Sequence, residues 1–170
     1  MHCGVDGVQV CWDEALQNTS LTPFHVNVEP ERLRMFAQAT GQEHPCFLDA
    51  ASAHAAGYAG VVVPPTFLFC LGMLGPKPLE IYERLGVNYA HVLHGEQHFE
   101  YYRPVYSGQT LHFAPRIGRL QLKKQGVLRL FEWLQCITTP SGQAVADLCS
   151  VMVVHTPAAC SQGGRDACNR

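Results

Sequence analysis

The apolar residues change their period partway along the chain. Before Leu93 they cluster between prolines and glycines; from Leu93 onward they recur at every second position. In the first stretch Phe24–Val28 alternates and reads as a short strand. Pro30 suits a first helical position. Leu33, Phe36, Ala37 and Thr40 follow at i, i+3, i+4 and i+7, which predicts a helix with one buried stripe, stopping at Gly41. Beyond the loop Gln42–Leu48, Asp49 is the expected N-cap of an Ala-rich helix that ends before Gly57. Pro64-Pro65 opens the apolar segment Thr66–Leu74, and a helix beginning around Pro65 fits because proline is tolerated in a first turn. Leu79–Leu85 reads as another short helix, closed by Gly86.

The second stretch predicts four strands, His94–Tyr102, Gln109–Arg119, Val127–Thr138 and Ala144–His155. Ser107-Gly108, Gln125-Gly126 and Ser141-Gly142 supply turn chemistry between them. Helices followed by long strands on short turns describe an α+β domain with a meandering antiparallel sheet. Residues 1–21 show no strong period beyond a helical turn at Trp12–Leu16 and read as an N-terminal extension. The domain is expected over residues 22–156, and residues 157–170, rich in Ala, Gly, Ser and Arg, read as a flexible tail.

Composition narrows the function. The 170 residues are 47% hydrophobic and 15% charged, enough apolar surface for one packed domain and too much for a disordered chain. A net charge of -2, with no basic cluster beyond Lys123-Lys124, argues against nucleic acid or an anionic membrane as partner. The eight cysteines, at 3, 11, 46, 70, 136, 149, 160 and 168, include no C-x-x-C pair. They read as reduced thiols, several in apolar runs. No apolar run approaches the ~18–20 residues of a membrane span, and the start lacks a basic signal-peptide region. A cytoplasmic protein is expected.

Three segments carry a resemblance. ATGQEHPCFLD, Ala39–Asp49, is similar to the active-site loop of R-specific enoyl-thioester hydratases. GYAGVVVPPTFLF, Gly57–Phe69, and HGEQHFEYYRPVYSGQTL, His94–Leu111, resemble the N-terminal, fatty-acid-synthase-like dehydratase branch of the MaoC-like hydratase/dehydratase group. Their order along the chain strengthens each of them. The resemblance implies a hot-dog fold, in which a curved antiparallel sheet wraps around a central apolar helix. It implies an acyl thioester, on CoA or on an acyl carrier protein, as the bound molecule, and no cofactor.

Hydrating an α,β-unsaturated thioester needs a base for water, an acid for the α-carbon and N–H donors on the carbonyl. Relatives with the full loop place an Asp and, five residues later, a His; those positions match Gln42 and Phe47 here. An amide takes no proton at neutral pH and a phenyl ring has no proton chemistry. The relatives' small residue that supplies the oxyanion N–H matches Pro65, which has none. Thr66, at the helix start, is the nearest substitute donor. Phe47, Val61–Val63, Phe67, Phe69 and Cys70 are expected as apolar wall, and His94 as a cavity residue.

The expectation is therefore a non-catalytic half, completing the substrate tunnel of a partner; the pairing expected is a heterodimer with a catalytic hot-dog hydratase, or a homodimer. Alternatives are a self-sufficient hydratase, dehydratase or thioester hydrolase using a displaced acid–base pair drawn from Glu43, His44 and His94, and a non-enzymatic thioester-binding module. The spacing His91-x-x-His94-x-x-x-His98 invites a metal reading, but a strand start at His94 leaves His91 in the preceding turn; no metal is expected. Arg103, before Pro104, suits a turn anchor or a thioester's phosphate.

Overall fold

The computed structural model describes residues 13–123 and 128–155. The expected tail, Trp12, Val127 and the turn at Gln125-Gly126 lie outside the described residues. Strand β1 (Phe24–Asn27) is followed by helices α1 (Pro30–Ala39), α2 (Ala50–Ala55), α3 (Phe67–Gly72) and α4 (Glu80–Leu85). Four long strands come next: β2 (Val92–Tyr101), β3 (Thr110–Lys123), β4 (Leu128–Thr138) and β5 (Ala144–His155). They form one antiparallel sheet in the order β1-β3-β4-β5-β2. The expected α+β architecture is present. β1 and β2 are its two edges.

Alternation decides what faces inward. Leu111 and Phe113 on β3, Phe131, Trp133 and Ile137 on β4, and Ala146, Leu148 and Met152 on β5 are buried at every second position. Against this face α3 packs Phe67, Leu68 and Leu71, in one cluster with Phe113, Ile137, Ala146 and Leu148. A second cluster joins Ile81 and Leu85 of α4 to Ile117, Phe131 and Trp133. Fully burying one such side chain is worth about 1.5–3 kcal/mol, so these contacts fix α3 on the sheet.

α3 is shorter than the expected helix from Pro65 to Leu74. Its entry is made of i to i−3 bonds, Phe67 N–H to Pro64 O at 2.9 Å and Phe69 N–H to Thr66 O at 3.2 Å. At its last residue a Cβ on Gly72 would overlap the Gln135 side chain on β4. α1 buries Leu33 and Ala37 as expected, while Phe36 is half-buried and its ring packs tilted against that of Phe67, centroids 4.9 Å apart. Thr40 is exposed and caps the helix instead, its hydroxyl donating to Phe36 O at 2.8 Å. Asp49 caps α2, accepting from the Ser52 amide at 2.7 Å. That hydrogen bonding holds its carboxyl below the usual carboxylate range.

Residues 13–21 run along β3: Asn18 N–H donates to Ile117 O at 2.8 Å and Leu21 N–H to Pro115 O at 2.9 Å. Leu21 is buried. At the far edge, β2 carries a bulge between His94 and Glu96. Gly95 sits there because a Cβ would press on Val153 Cγ2 at 3.1 Å and Val151 O at 3.2 Å.

Candidate active site

The loop between α1 and α2 folds into a 3-10 turn, Pro45–Phe47, with Pro45 at its first position and His44 as its N-cap. His44 Nδ1 accepts from the Cys46 amide at 3.4 Å and lies 2.9 Å from Cys46 Sγ. The cap is one that an Asn or Asp side chain ordinarily makes. Phe47 meets the His44 ring edge-on at 5.9 Å. Cys46 is buried with Ala53 and Val62, and its carbonyl accepts from Val62 N–H at 2.9 Å. Gln42 is half-buried; Glu43 is exposed and makes no hydrogen bond or ion pair among the described residues. Glu43 and His44 are thus not joined to each other, and His44's bonded nitrogen serves the turn.

Beside the start of α3 runs an open groove of ≈ 390 Å³. One side is Val62, Val63, Pro65 and Leu68; the other is Tyr101 to Val105, at the end of β2. Val63 is tied across to Val105 through its N–H at 2.8 Å. Tyr102 donates its hydroxyl to Asp147 at 3.0 Å. That hydrogen bond, with burial and the nearby Asp147 and Glu100 charges, pushes the phenol up to about 12, so it remains a neutral donor. The Thr66 N–H at the groove's rim makes no hydrogen bond among the described residues.

The structure gathers only part of the expected wall. Val63 and Pro65 line the groove, with exposed Thr66 beside them. Phe67 instead points into the core against Phe36. Cys70 is half-buried, and burial pushes its thiol up, so it acts as apolar packing. Phe47 stays with the loop cluster. His94 stacks on Phe69 of α3 with ring centroids 5.2 Å apart, separate from the loop histidine. Leu68, Tyr101 and Val105 were not anticipated. Phe99 and Tyr101, at alternate positions of β2, stack with ring centroids 5.6 Å apart.

A larger cavity, ≈ 530 Å³, lies on the outer face of the sheet among His98, Glu100, Arg116, Cys136, Asp147 and Cys149. These positions alternate with the inward-facing ones, and none belongs to the loop or to α3. The smaller groove is lined by Leu68 of α3, and it reaches the loop only through Val62, whose N–H donates to Cys46 O at 2.9 Å. Among the described residues no group of three or more His, Cys, Asp or Glu converges on a metal position, and no helix is long and apolar enough to cross a membrane.

An antiparallel sheet closed on a short apolar helix is the hot-dog fold, and a MaoC-like dehydratase of solved structure is similar, with a TM-score of 0.70 and 26% identity over 84% of this chain and 42% of that one. More narrowly, the family model described as the FAS1-like dehydratase domain region matches residues 15–148, and the chain belongs to that family. A UPF0336 protein of Parafrankia sp. is 35% identical over 79% of this chain and 87% of its own length. A UPF0336 protein of Streptomyces griseus is 42% identical over 48% of this chain, a match spanning 54% of that relative. The crystal structure of a truncated HadBC (3R-hydroxyacyl-ACP dehydratase) complex from Mycobacterium tuberculosis is similar with a TM-score of 0.72. It is 22% identical, covers 81% of this chain and 96% of that one, and shows the fold.

Proposed function

We propose that this chain is the acyl-thioester-binding, non-catalytic half of a 3-hydroxyacyl-thioester dehydratase or (R)-specific enoyl-thioester hydratase. In this reading its groove completes the substrate tunnel of a hot-dog partner that carries the full Asp/His loop. The observation that supports it is a packed, capped loop whose histidine nitrogen is engaged within the turn. The 3-10 turn is capped and packed, yet its key positions hold Gln42 and Phe47, and its histidine nitrogen is bound to the Cys46 amide and thiol. Pro65 at the helix start offers no N–H.

Two further features support the reading. The groove lies at the end of β2, which is an edge strand among the described residues, where a partner's residues can reach it. HadBC, similar in fold, is by its description a complex of a 3R-hydroxyacyl-ACP dehydratase. The free thiols at Cys46, Cys70, Cys136 and Cys149 fit a reducing, cytoplasmic setting.

The test is hydration of crotonyl-CoA. The purified chain is expected to show none above background. Adding a hot-dog hydratase subunit with the intact loop should raise turnover on the order of 10²–10⁴-fold, the worth of a placed general base. Robust hydration by the chain alone overturns the reading.

A further inference from the structure

We propose that Arg103 binds the phosphate of a phosphopantetheine arm at the Val63–Leu68–Tyr101 groove. This rests on the thioester reading above and adds the handle by which the thioester is held. Of the nine residues lining the groove, Arg103 alone is charged. Its guanidinium makes no ion pair among the described residues, whereas Arg32, Arg34, Arg84 and Arg119 each have a carboxylate.

The side chain is nonetheless held in place. Arg103 Nη1 donates to Gln143 Oε1 at 2.7 Å, and the backbone N–H of Arg103 to Val145 O at 3.4 Å. One guanidinium N–H is thereby used on a neutral acceptor, and the rest of the five-donor fork is left for an anion. The charge is therefore oriented and uncompensated. An apolar groove with one such cation in its lining matches an uncharged acyl-pantetheine body ending in a phosphate. Both CoA and a carrier protein present that arm, so the shared group is what Arg103 would recognise.

The experiment measures dissociation constants of three probes for the full chain and its Arg103→Gln variant. The probes are crotonyl-CoA, crotonyl-phosphopantetheine and crotonyl-pantetheine, which lacks phosphate. R103Q should weaken the two phosphate-bearing probes about tenfold, as loss of an exposed charge-assisted bond implies, and leave crotonyl-pantetheine unchanged. R103K, which keeps the charge without the fork, should fall between. Equal weakening of all three probes means that Arg103 only shapes the groove, and overturns the proposal. No weakening of any probe does the same. Weakening confined to crotonyl-CoA places the contact on the nucleotide phosphates and also overturns it. If no probe binds wild type, the thioester reading itself falls.

Discussion

The two edges of the sheet are finished differently. β1 is four residues long, and residues 18–21 continue its course along β3 through backbone hydrogen bonds. Phe24 stacks on fully buried Phe113 at 5.1 Å, and the Glu80 carboxylate accepts from the Thr22 amide at 2.9 Å, tying this border to α4. β2 runs ten residues, mostly exposed, with Leu93 at 64% and Tyr101 at 45% of full exposure. A short, tied border resists added strands, and a long open one invites them. Glu96, His98 and Glu100 on the outer side of β2 limit indiscriminate pairing without closing the edge. Both borders show the same alternation in sequence. How each is anchored, and not its strand propensity, sets the two borders apart and makes β2 the side on which the proposed partner would add.

The largest expected effect comes from breaking the β1 border. Phe113→Ala removes a fully buried ring and should cost about 3–5 kcal/mol in a urea melt, without first changing self- or partner-association. Next is Leu93→Lys on β2. If this edge joins another chain, sedimentation should show association weakened tenfold or more, the worth of burying a leucine at about 1.5–3 kcal/mol, with unfolding shifted by less than about 0.5 kcal/mol. A chain that stays monomeric alone and with every hot-dog partner would erase the distinction between the edges.

The smallest effect is a pH dependence at the β1 border. Burial pushes the Glu80 carboxyl up, but hydrogen bonds from Thr22, the Lys77 charge and Arg84 outweigh it, and the net shift is downward. A carboxyl lowered on folding contributes its stability fully above the unfolded value of about 4.3, and loses it as pH falls through the folded value. The urea midpoint should therefore drop between pH 6 and pH 3, and Glu80→Gln should flatten that drop. An unchanged slope in the variant would show that other carboxylates carry the dependence.

The fold was legible where one face of an element is wet. The four long strands and α1 announced themselves by period, because water on one side forces alternation. α3 was less legible: a short, uniformly apolar run carries no polar face to set its phase, and Gly72 meets Gln135 from a strand more than sixty residues away in sequence. In the site, the empty positions Gln42 and Phe47 could be read directly, since they are absences of chemistry. The groove could not. Which of Phe67, Leu68 and Cys70 faces it depends on the rotation of α3 over the sheet, and Tyr101 enters only through β2's pairing with β5. The His44 cap was hidden for another reason. Imidazole is an uncommon substitute for an Asn or Asp cap, and only the Pro45 that follows hinted at a turn start there.

The bulge at Gly95 has a consequence for whatever lies beside β2. It divides that border into two runs with opposite parity, so an added strand either carries a matching irregularity or ends there. The uninterrupted run, Glu96–Tyr101, is about 20 Å long at ~3.3 Å per residue. It works as an index mark: a neighbouring strand has one length and one starting point at which it fits, and sliding by a residue sets its side chains on the wrong side. A single glycine thus sets the alignment between this groove and any loop delivered from across the border.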